Sequence, residues 1–363
     1  MLFRSMLQYR WQDAIALFDR ALRDRVDPWT LANLGNCYWK TGDLDQAEYC
    51  LRGAVAVAPD FTAARLGIAT VLHARGRFED CLQELDAAAL TDAGDIHIDS
   101  RRGCALLRLE RYDEAQAAFR RSAERAGIFS YPRLIEFDRA AWDTVCGGAQ
   151  IPAHPQAVFS LGNVAGTAGH VTLISCDPAY VRKFGFAFMR SFAERARPAA
   201  LHLHIYDPDP DIIEEVRGVA GDCSLANFVV TTEASPFPEN LPRQRRAYYA
   251  CGRLVHLGRW LQEYARPVLS LDVDFIVEDR LDTIVAAADG YDLALNPRAP
   301  VDSPWLDIIA NIIVANPTPA AIDFFSAVRN YTLNMVRREP ESWLVDQTAL
   351  YCVLVMKIGR AHV

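Results

Sequence analysis

Residues 33–59 read NLGNCYWKTGDLDQAEYCLRGAVAVAP and contain the clearest structural pattern in the N-terminal third of the chain. Gly35 and Ala47 are small residues, which allow two antiparallel helices to approach closely. Leu51 is large and apolar, and it can fill the space between successive helix pairs. Pro59 ends the second helix because proline cannot continue the backbone hydrogen bonding. The segment therefore predicts a hairpin of two packed helices.

The same pattern recurs with a spacing of 33 or 34 residues, counted between the residues that open each second helix: Trp11, Leu44, Phe78 and Tyr112. Small residues stand three and ten positions after each opening residue, and large apolar residues stand seven positions after it. The pattern resembles the tetratricopeptide repeat over about residues 1–126. The resemblance implies an all-α repeat domain whose concave face binds a peptide or partner protein. Alternatively, the array only packs on the rest of the chain or forms a dimer.

Composition excludes several classes of function. The formal net charge of -8 argues against nucleic acid or an anionic membrane as the main partner, because both require a basic surface. No apolar run approaches the ~18 residues of a membrane span, and residues 1–10 lack the features of a secretion signal. The nine cysteines include no Cys-x-x-Cys pair, so we expect buried free thiols rather than disulfides or a zinc site. These features predict a cytoplasmic protein.

The domain boundaries follow from changes in pattern along the chain. Residues 127–169 are rich in turn residues after a candidate helix over 131–146, and we assign them to a connecting segment. Residues 170–356 form the predicted second domain. The tail KIGRAHV, residues 357–363, resembles the translation of a sequencing adapter, so it is left out of the fold prediction and the second domain is expected to be truncated there.

Short apolar runs alternate with helical patterns in the second domain. Residues 171–175, 201–206, 228–231 and 268–271 are predicted strands, with helices between them over 179–196, 211–219 and 245–264. This alternation predicts an α/β sheet of mostly parallel strands. Ligands of such a sheet bind beyond the carboxyl ends of its strands.

Two carboxylates follow the fourth predicted strand, in Leu271-Asp272-Val273-Asp274. A pair of acids leaving a buried strand is costly unless the acids meet a cation. Carboxylate oxygens suit Mg²⁺ or Mn²⁺, and these ions usually bridge to phosphates. Asp272 and Asp274 are therefore predicted to hold such an ion. In the alternative arrangement they cap the next helix or pair with Arg280.

The segment from Arg253 through Asp274 resembles the corresponding segment of GT-A glycosyltransferases, in particular the glycogenin-like and lipopolysaccharide galactosyltransferase-like retaining group. The resemblance spans about residues 171–355 and implies a Rossmann-like nucleotide-diphospho-sugar transferase domain. The implied donor is a UDP-sugar bound with Mn²⁺ or Mg²⁺. The implied acceptor is a glycan, a lipid-linked sugar or a protein.

The same resemblance assigns roles to further residues. Asp177 and Tyr180 would contact the nucleoside, and Arg253 would contact a phosphate or the donor sugar. Asn311, ahead of an internal strand, would face the donor sugar. Asp346 and Gln347, the implied catalytic pair, would bind its hydroxyl groups or stabilise the oxocarbenium-like centre. The structural alternatives are a helix cap at Asp177, a solvated helix face at Arg253 and helix N-terminal polarity at Asp346 and Gln347.

The chain departs from the group at two points. Asn311 is followed by isoleucine rather than by a small residue and glycine, and no late histidine precedes the tail to supply a further metal ligand. Two other functions therefore remain open. One is an adaptor with a degenerate, non-catalytic sugar-nucleotide-binding domain. The other is a dehalogenase-like phosphatase, although that family carries its Asp-x-Asp on the first strand.

Two further pairs are predicted to be structural. His202 and His204 share one strand face and are expected to pack in the core rather than bind metal. Asp207 and Asp209 form a second Asp-x-Asp, but the intervening prolines indicate a surface loop. Arg243–Arg246 is expected to be a solvated helix start, or else to meet an acidic acceptor or the diphosphate.

Overall fold

A computed structural model describes residues 11–126, 131–137, 142, 144, 151–164, 166, 169–196, 199–297, 308–338 and 344–358. These residues form two compact units. The first unit holds the described residues up to 137, and the second holds those from 142 onward.

Seven α-helices are described over residues 11–126 of the first unit: α1 (Trp11–Asp24), α2 (Pro28–Thr41), α3 (Leu44–Val57), α4 (Thr62–Ala74), α5 (Phe78–Thr91), α6 (Ile96–Arg108) and α7 (Tyr112–Ala126). Helices α3, α5 and α7 begin at the residues that the repeat spacing assigned to them, and α1 is described from Trp11, the first residue that the structure describes. The all-helical repeat fold of this region is therefore confirmed.

The small and large positions of the repeat pack as the sequence pattern requires. The small residues Ala47 and Cys81 and the large residue Leu51 are 0–1% exposed. A Cβ atom placed on Gly35 would lie 2.7 Å from Leu51 Cγ, so the crossing of α2 and α3 leaves room only for glycine. Because each helix pair buries its apolar face against the next, the core continues from repeat to repeat.

The polar residues between the helices explain where the helices begin and end. Asp27 caps α2 by accepting a hydrogen bond from the Thr30 amide at 3.0 Å. Gly42 ends α2 with a φ of 86°, a conformation that glycine adopts without strain. Asp43 then caps α3 through the Gln46 amide at 3.1 Å.

The second unit contains a seven-stranded mixed sheet with helices. Its strands are β1 (Gln156–Leu161), β2 (Val171–Cys176), β3 (Ala200–Tyr206), β4 (Phe228–Glu233), β5 (Val268–Leu271), β6 (Leu293–Pro297) and β7 (Ile308–Ala315). Its helices of five or more residues are α8 (Phe186–Arg195), α9 (Ile212–Asp222), α10 (Pro242–Tyr264), α11 (Asp282–Ala286), α12 (Pro319–Arg338) and α13 (Val345–Ile358). An α turn, Pro178–Tyr180, and a π turn, Val181–Gly185, lead from β2 into α8.

The strand order is β1-β4-β3-β2-β5-β7-β6. The four strands that the sequence predicts, β2 to β5, are mutually parallel, whereas β1, β6 and β7 add antiparallel neighbours at the two sides. The chain proceeds from β2 through β3 to β4 and then returns to place β5 on the other side of β2. The order therefore reverses between β2 and β5, which is where open α/β sheets bind ligands.

Two sequence expectations differ from the structure. Residues 156–161, within the predicted connecting segment 127–169, form edge strand β1 and pair with β4. Their mixed exposure explains why periodicity did not reveal them. Of the helix expected over 131–146, the structure describes a 3-10 turn at Tyr131–Leu134 and irregular chain over 135–137, whereas residues 142 and 144 are helical. Most of the remaining positions of that segment lie outside the described residues.

Three sequence predictions concern composition and the chain end. Eight cysteines are described, all of them free thiols, and Cys146 lies outside the described residues. Among the helices that the structure describes, none is both long and apolar enough to cross a membrane. Helix α13 continues through Lys357, which pairs with Asp323, whereas residues 359–363 of the predicted artificial tail lie outside the description.

Candidate functional site

A cleft of ≈ 520 Å³ lies at the carboxyl ends of the parallel strands of the second unit. All eight residues that the sequence analysis assigned to a donor site line it: Asp177, Tyr180, Arg253, Asp272, Asp274, Asn311, Asp346 and Gln347. The cleft is also lined by Ser175, Cys176, Arg246, Tyr249, Ala250, Val273, Ile309, Ala310 and Leu344. Trp343, quoted with the Asp346 motif, lies outside the described residues.

Sheet topology brings these distant residues together. Strands β2 and β5 are parallel neighbours, so Asp177 and Asp272, which follow them directly, emerge at the same edge. Strand β7 runs antiparallel beside β5 and supplies Asn311, while the first turn of α13 supplies Asp346. Helix α10 contributes Arg246, Tyr249, Ala250 and Arg253, whose spacing places them on one helix face.

Arg253 is buried and bonds Asp272. Its side chain is 5% exposed, and its Nη2 donates to Asp272 Oδ1 at 2.6 Å and to the Ala310 carbonyl at 2.7 Å. The alternative of a solvated helix face is therefore wrong. This guanidinium orients one carboxylate of the Asp-x-Asp pair, and because Arg253 also lines the cleft, its contact with a phosphate or the donor sugar stays a prediction.

The two acids can hold a divalent cation together with a phosphate ligand. Asp274 is exposed, and no cation pairs with it among the described residues. Asp272 is 40% exposed and uses only Oδ1 in its bond to Arg253. Arg280, the alternative partner, pairs with Asp282 instead. Two carboxylates beside an open cleft suit Mg²⁺ or Mn²⁺, which commonly use one or two protein carboxylates and complete their shell with substrate oxygens.

Asp177 has the capping role that was its structural alternative, and it also lines the cleft. Its Oδ1 accepts a hydrogen bond from the Tyr180 amide at 2.9 Å. The Tyr180 ring is 46% exposed, so a planar ligand can reach its face. Burial raises the pKa of the neighbouring Cys176 thiol, and Asp177 raises it further. Cys176 therefore stays protonated and is not a candidate nucleophile.

Asn311 lies inside β7, which begins at Ile308, and not ahead of the strand as the resemblance implied. Its Oδ1 accepts a hydrogen bond from Asn296 Nδ2 at 2.9 Å, and its carbonyl accepts one from the Asp272 amide at 3.1 Å. The register between β6 and β7 shifts next to Asn296. Local sequence does not reveal such an irregularity, because it depends on the neighbouring strand.

The pKa of the Asp346 carboxyl group is raised above its ordinary value. Burial raises its pKa to about 6, and nearby Asp272 raises it as well, although Arg253 and the backbone amide of Gln347 act in the opposite direction. A carboxyl group that titrates near neutral pH in a cleft is a feature of functional sites. Asp346 can therefore change its charge within the working pH range.

Asp346→Asn should stabilise the metal-free protein at pH 8 by about 3 kcal/mol and leave its stability at pH 4 nearly unchanged. The folded state holds the Asp346 proton more tightly than the unfolded chain does, because the pKa of this carboxyl group is near 3.8 in the unfolded chain. Stability is therefore lost as the pH rises from about 4 to about 6, and asparagine removes that loss. Thermal unfolding at both pH values measures the change in stability, and Asp279→Asn, in an exposed loop, is the control. An equal effect at both pH values would contradict the shift.

The start of α10 contributes more to the cleft than the sequence analysis recognised. Arg246 is exposed and lines the cleft, and no carboxylate pairs with it among the described residues. Tyr249 lies one helical turn further on, and burial and its bond to Asp207 raise its pKa to about 12, so its hydroxyl remains a donor. Arg245, on another face, pairs with Asp207. Helical spacing could have identified Arg246, because it is the arginine of this run that shares a helix face with Arg253.

The structure also describes the two pairs that were predicted to be structural. Asp209 accepts the Ile212 amide at 3.0 Å at the start of α9 and pairs with Arg182, so the second Asp-x-Asp is a structural loop. His202 and His204 are fully buried on β3. Burial lowers the pKa of both imidazoles.

A second candidate site lies in the repeats. Helices α2, α4 and α6, the first helices of successive repeats, line a groove of ≈ 220 Å³. Its lining residues are Asn36, Trp39, Ala63, Leu66, Gly67, Thr70 and Arg101. The combination of an aromatic ring, an amide and a guanidinium suits a polypeptide ligand.

Comparison with known proteins concerns the N-terminal region. Tetratricopeptide repeat family models match residues 32–95 and 100–127. The mitochondrial import receptor subunit TOM70 of Saccharomyces cerevisiae is 30% identical over 91 residues, 25% of this chain. The chain spans 15% of the length of that relative.

Solved structures with similar regions include MamA and YrrB. The crystal structure of MamA is 15% identical with a TM-score of 0.33, and the match covers 34% of this chain and 74% of MamA. The structure of YrrB, described as a TPR protein with an unusual peptide-binding site, is 20% identical with a TM-score of 0.31, covering 33% of this chain and 63% of YrrB. Both family matches end N-terminal to the mixed sheet. The N-terminal region of this chain therefore consists of tetratricopeptide repeats.

Proposed function

We propose that the cleft binds a nucleotide-diphosphate sugar, a UDP-sugar by resemblance, and that the protein is a metal-dependent glycosyltransferase of GT-A type. One observation carries the proposal: eight residues assigned to donor binding from sequence, between positions 177 and 347, line a single cleft. That cleft lies where the strand order reverses between β2 and β5. A chance set of polar residues from five elements would not converge in this way.

Different residues of the cleft bind different parts of the donor. Asp272 and Asp274 hold the divalent cation, and Arg253 keeps the Asp272 carboxylate in place. Arg246 pairs with the diphosphate from the facing helix. When bound, the cation neutralises the charge that develops on the leaving diphosphate. Asp177 and Tyr180 bind the nucleoside, while Asn311, Asp346 and Gln347 orient the sugar.

The ionisation state of Asp346 matters for transfer. An ionised carboxylate stabilises positive charge at the sugar carbon, whereas a neutral acid does not. Burial raises its pKa to about 6 in the metal-free protein, and a cation at Asp272 would lower it, so transfer should be lost at acidic pH.

Calorimetric titration of UDP with and without Mn²⁺ tests the proposal. We expect binding that requires Mn²⁺ and weakens on the order of 100-fold in Asp274→Asn, because one of only two protein ligands is lost. Asp279→Asn, an exposed acid five positions later, should bind as wild type does. Metal-independent binding, or equal binding by both variants, would contradict the assigned site. Turnover of UDP-sugars then separates an enzyme from a binding domain.

The repeats support a second function, recruitment of a protein partner. Tetratricopeptide repeats match residues 32–127 with one short gap, and one matched protein is named an import receptor subunit. In an adaptor, the cleft would bind a sugar nucleotide without transfer. Mn²⁺-dependent UDP binding combined with no turnover of any UDP-sugar would favour the adaptor. Cross-linking of the full chain, with Arg101→Ala as the groove variant, would then identify the partner surface.

A further inference from the structure

Three buried side chains behind β3 and β4 form a cluster outside the cleft. They are His204 on β3, Glu233 at the end of β4 and His256 on α10. Both histidines are 0% exposed and the Glu233 side chain is 8% exposed. One ligand atom from each residue lies within 4.8 Å of the others. Three ligating atoms are therefore close enough to share one ion.

Among the described residues, Glu233 contacts no permanently charged cation, because the two imidazoles beside it are positive only when protonated. His256 Nε2 lies 2.8 Å from Oε2, and the Tyr248 hydroxyl donates to Oε1 at 2.7 Å. Among the residues that the structure describes, no lysine or arginine pairs with Glu233. Burial of a carboxylate is costly unless a cation accompanies it.

His204 supplies an unpartnered nitrogen directed at this carboxylate. Its Nε2 lies 3.3 Å from Glu233 Oε1 but forms no hydrogen bond there. Its other nitrogen, Nδ1, lies 2.8 Å from Thr231 Oγ1. When Nδ1–H donates to Thr231, the lone pair of Nε2 faces the carboxylate. Metal-binding histidines are held in this way, with the outer N–H in a hydrogen bond.

We propose that His204, Glu233 and His256 bind a divalent transition-metal ion. Two imidazole nitrogens and one carboxylate are a ligand set of zinc, in contrast to the all-oxygen pair in the cleft. The ion ties α10 to β3 and β4. Because α10 also carries Arg246 and Arg253, the ion stabilises one wall of the cleft. A cavity of ≈ 610 Å³ is lined by His154, Thr231 and Tyr264, and Thr231 Oγ1 lies 2.8 Å from His204 Nδ1 of the cluster.

The alternative is a purely hydrogen-bonded network. Tyr264 would donate to His202 Nδ1, His202 Nε2–H to Thr231, and Thr231 to His204 Nδ1. This series of hydrogen bonds requires a proton on His204 Nε2, and that N–H then faces Glu233. The two arrangements differ in whether an ion is present, so metal analysis separates them.

The test uses the full, untagged chain expressed with added zinc and dialysed against metal-free buffer. We expect about one zinc ion per chain, and a four-coordinate cobalt absorption spectrum after exchange with Co²⁺. Glu233→Gln should weaken zinc binding on the order of 100-fold. His202→Gln, an equally buried histidine outside the ligand set, should retain the ion, as should Asp274→Asn in the cleft.

Two results would overturn the proposal. The first is zinc-loaded wild type with less than about 0.1 ion per chain and no cobalt spectrum, since a buried three-ligand site retains its ion through dialysis. The second is zinc retained by Glu233→Gln, which would place the ion elsewhere. The first of these results needs only the wild-type chain, so it can overturn the proposal even if the variants fail to fold.

Discussion

Arg253→Met is expected to lower the free energy of unfolding of the second unit by about 3 kcal/mol. Methionine keeps most of the side-chain length but removes the guanidinium, which is 5% exposed. The Ala310 carbonyl and Asp272 Oδ1 then lose their donor at 2.7 and 2.6 Å. A buried acceptor left without a partner bears the full cost of desolvation.

Differential scanning calorimetry measures this effect as a fall in the transition temperature of the second unit by about 6–12 °C. The control is Arg280→Met, because Arg280 is 67% exposed and pairs only with Asp282 nearby. Exposed ion pairs contribute little, so that change should stay below about 0.5 kcal/mol. If both variants melt alike, the Arg253 guanidinium is solvated in solution and does not hold the Asp-x-Asp carboxylate.

Gly103→Val should destabilise the repeats by about 3 kcal/mol. A Cβ atom at position 103 would lie 2.7 Å from Cε1 and Cζ of Phe119, whose ring is fully buried between α6 and α7. The contact is with a packed ring rather than the end of a flexible side chain, so the helices must separate. Valine is also a poorer helix former than straight-chain residues.

Thermal unfolding followed by circular dichroism at helical wavelengths checks this prediction. Gly53→Ala is the matched control, because a Cβ at position 53 of α3 would meet Leu31 at an ordinary 3.6 Å. Alanine in the interior of a helix is favoured over glycine, so this variant should gain about 0.5–1 kcal/mol. Equal stability of Gly103→Val and wild type would show that α6 and α7 cross with more space than the structure has.

The glycosyltransferase proposal rests on the cleft rather than on relatives of known activity. The family matches cover the repeats, between residues 32 and 127. The proposal therefore depends on the chemistry of Asp272, Asp274 and Arg246 and on the place of the cleft in the sheet. Its tests and those of the zinc site are independent, since one reports Mn²⁺ at oxygen ligands and the other a transition ion at imidazoles.

Some polar contacts of the folded protein could not be predicted from local sequence pattern. Glu233 ends strand β4, His256 lies in the middle of α10, and 23 positions separate them in sequence. Only the packing of α10 against the sheet brings them to 2.8 Å. The burial of Arg253 also depends on that packing, since an arginine in a helix is usually solvated.

Local pattern was enough to locate the repeat helices and the four parallel strands. The spacing from Trp11 to Tyr112 repeats because each helix pair needs the same small and large residues at the same positions. Strand β1 and the alignment of Asn311 in β7 required the folded sheet, because edge pairing and register depend on the neighbouring strand. Their position after a buried strand predicted Asp272 and Asp274 as cation ligands, and the family resemblance added Asp177 and Asp346. Only the tertiary structure identifies the partners of these acids. A salt bridge such as Arg253–Asp272 joins two separate elements, so neither element shows it in its own sequence periodicity.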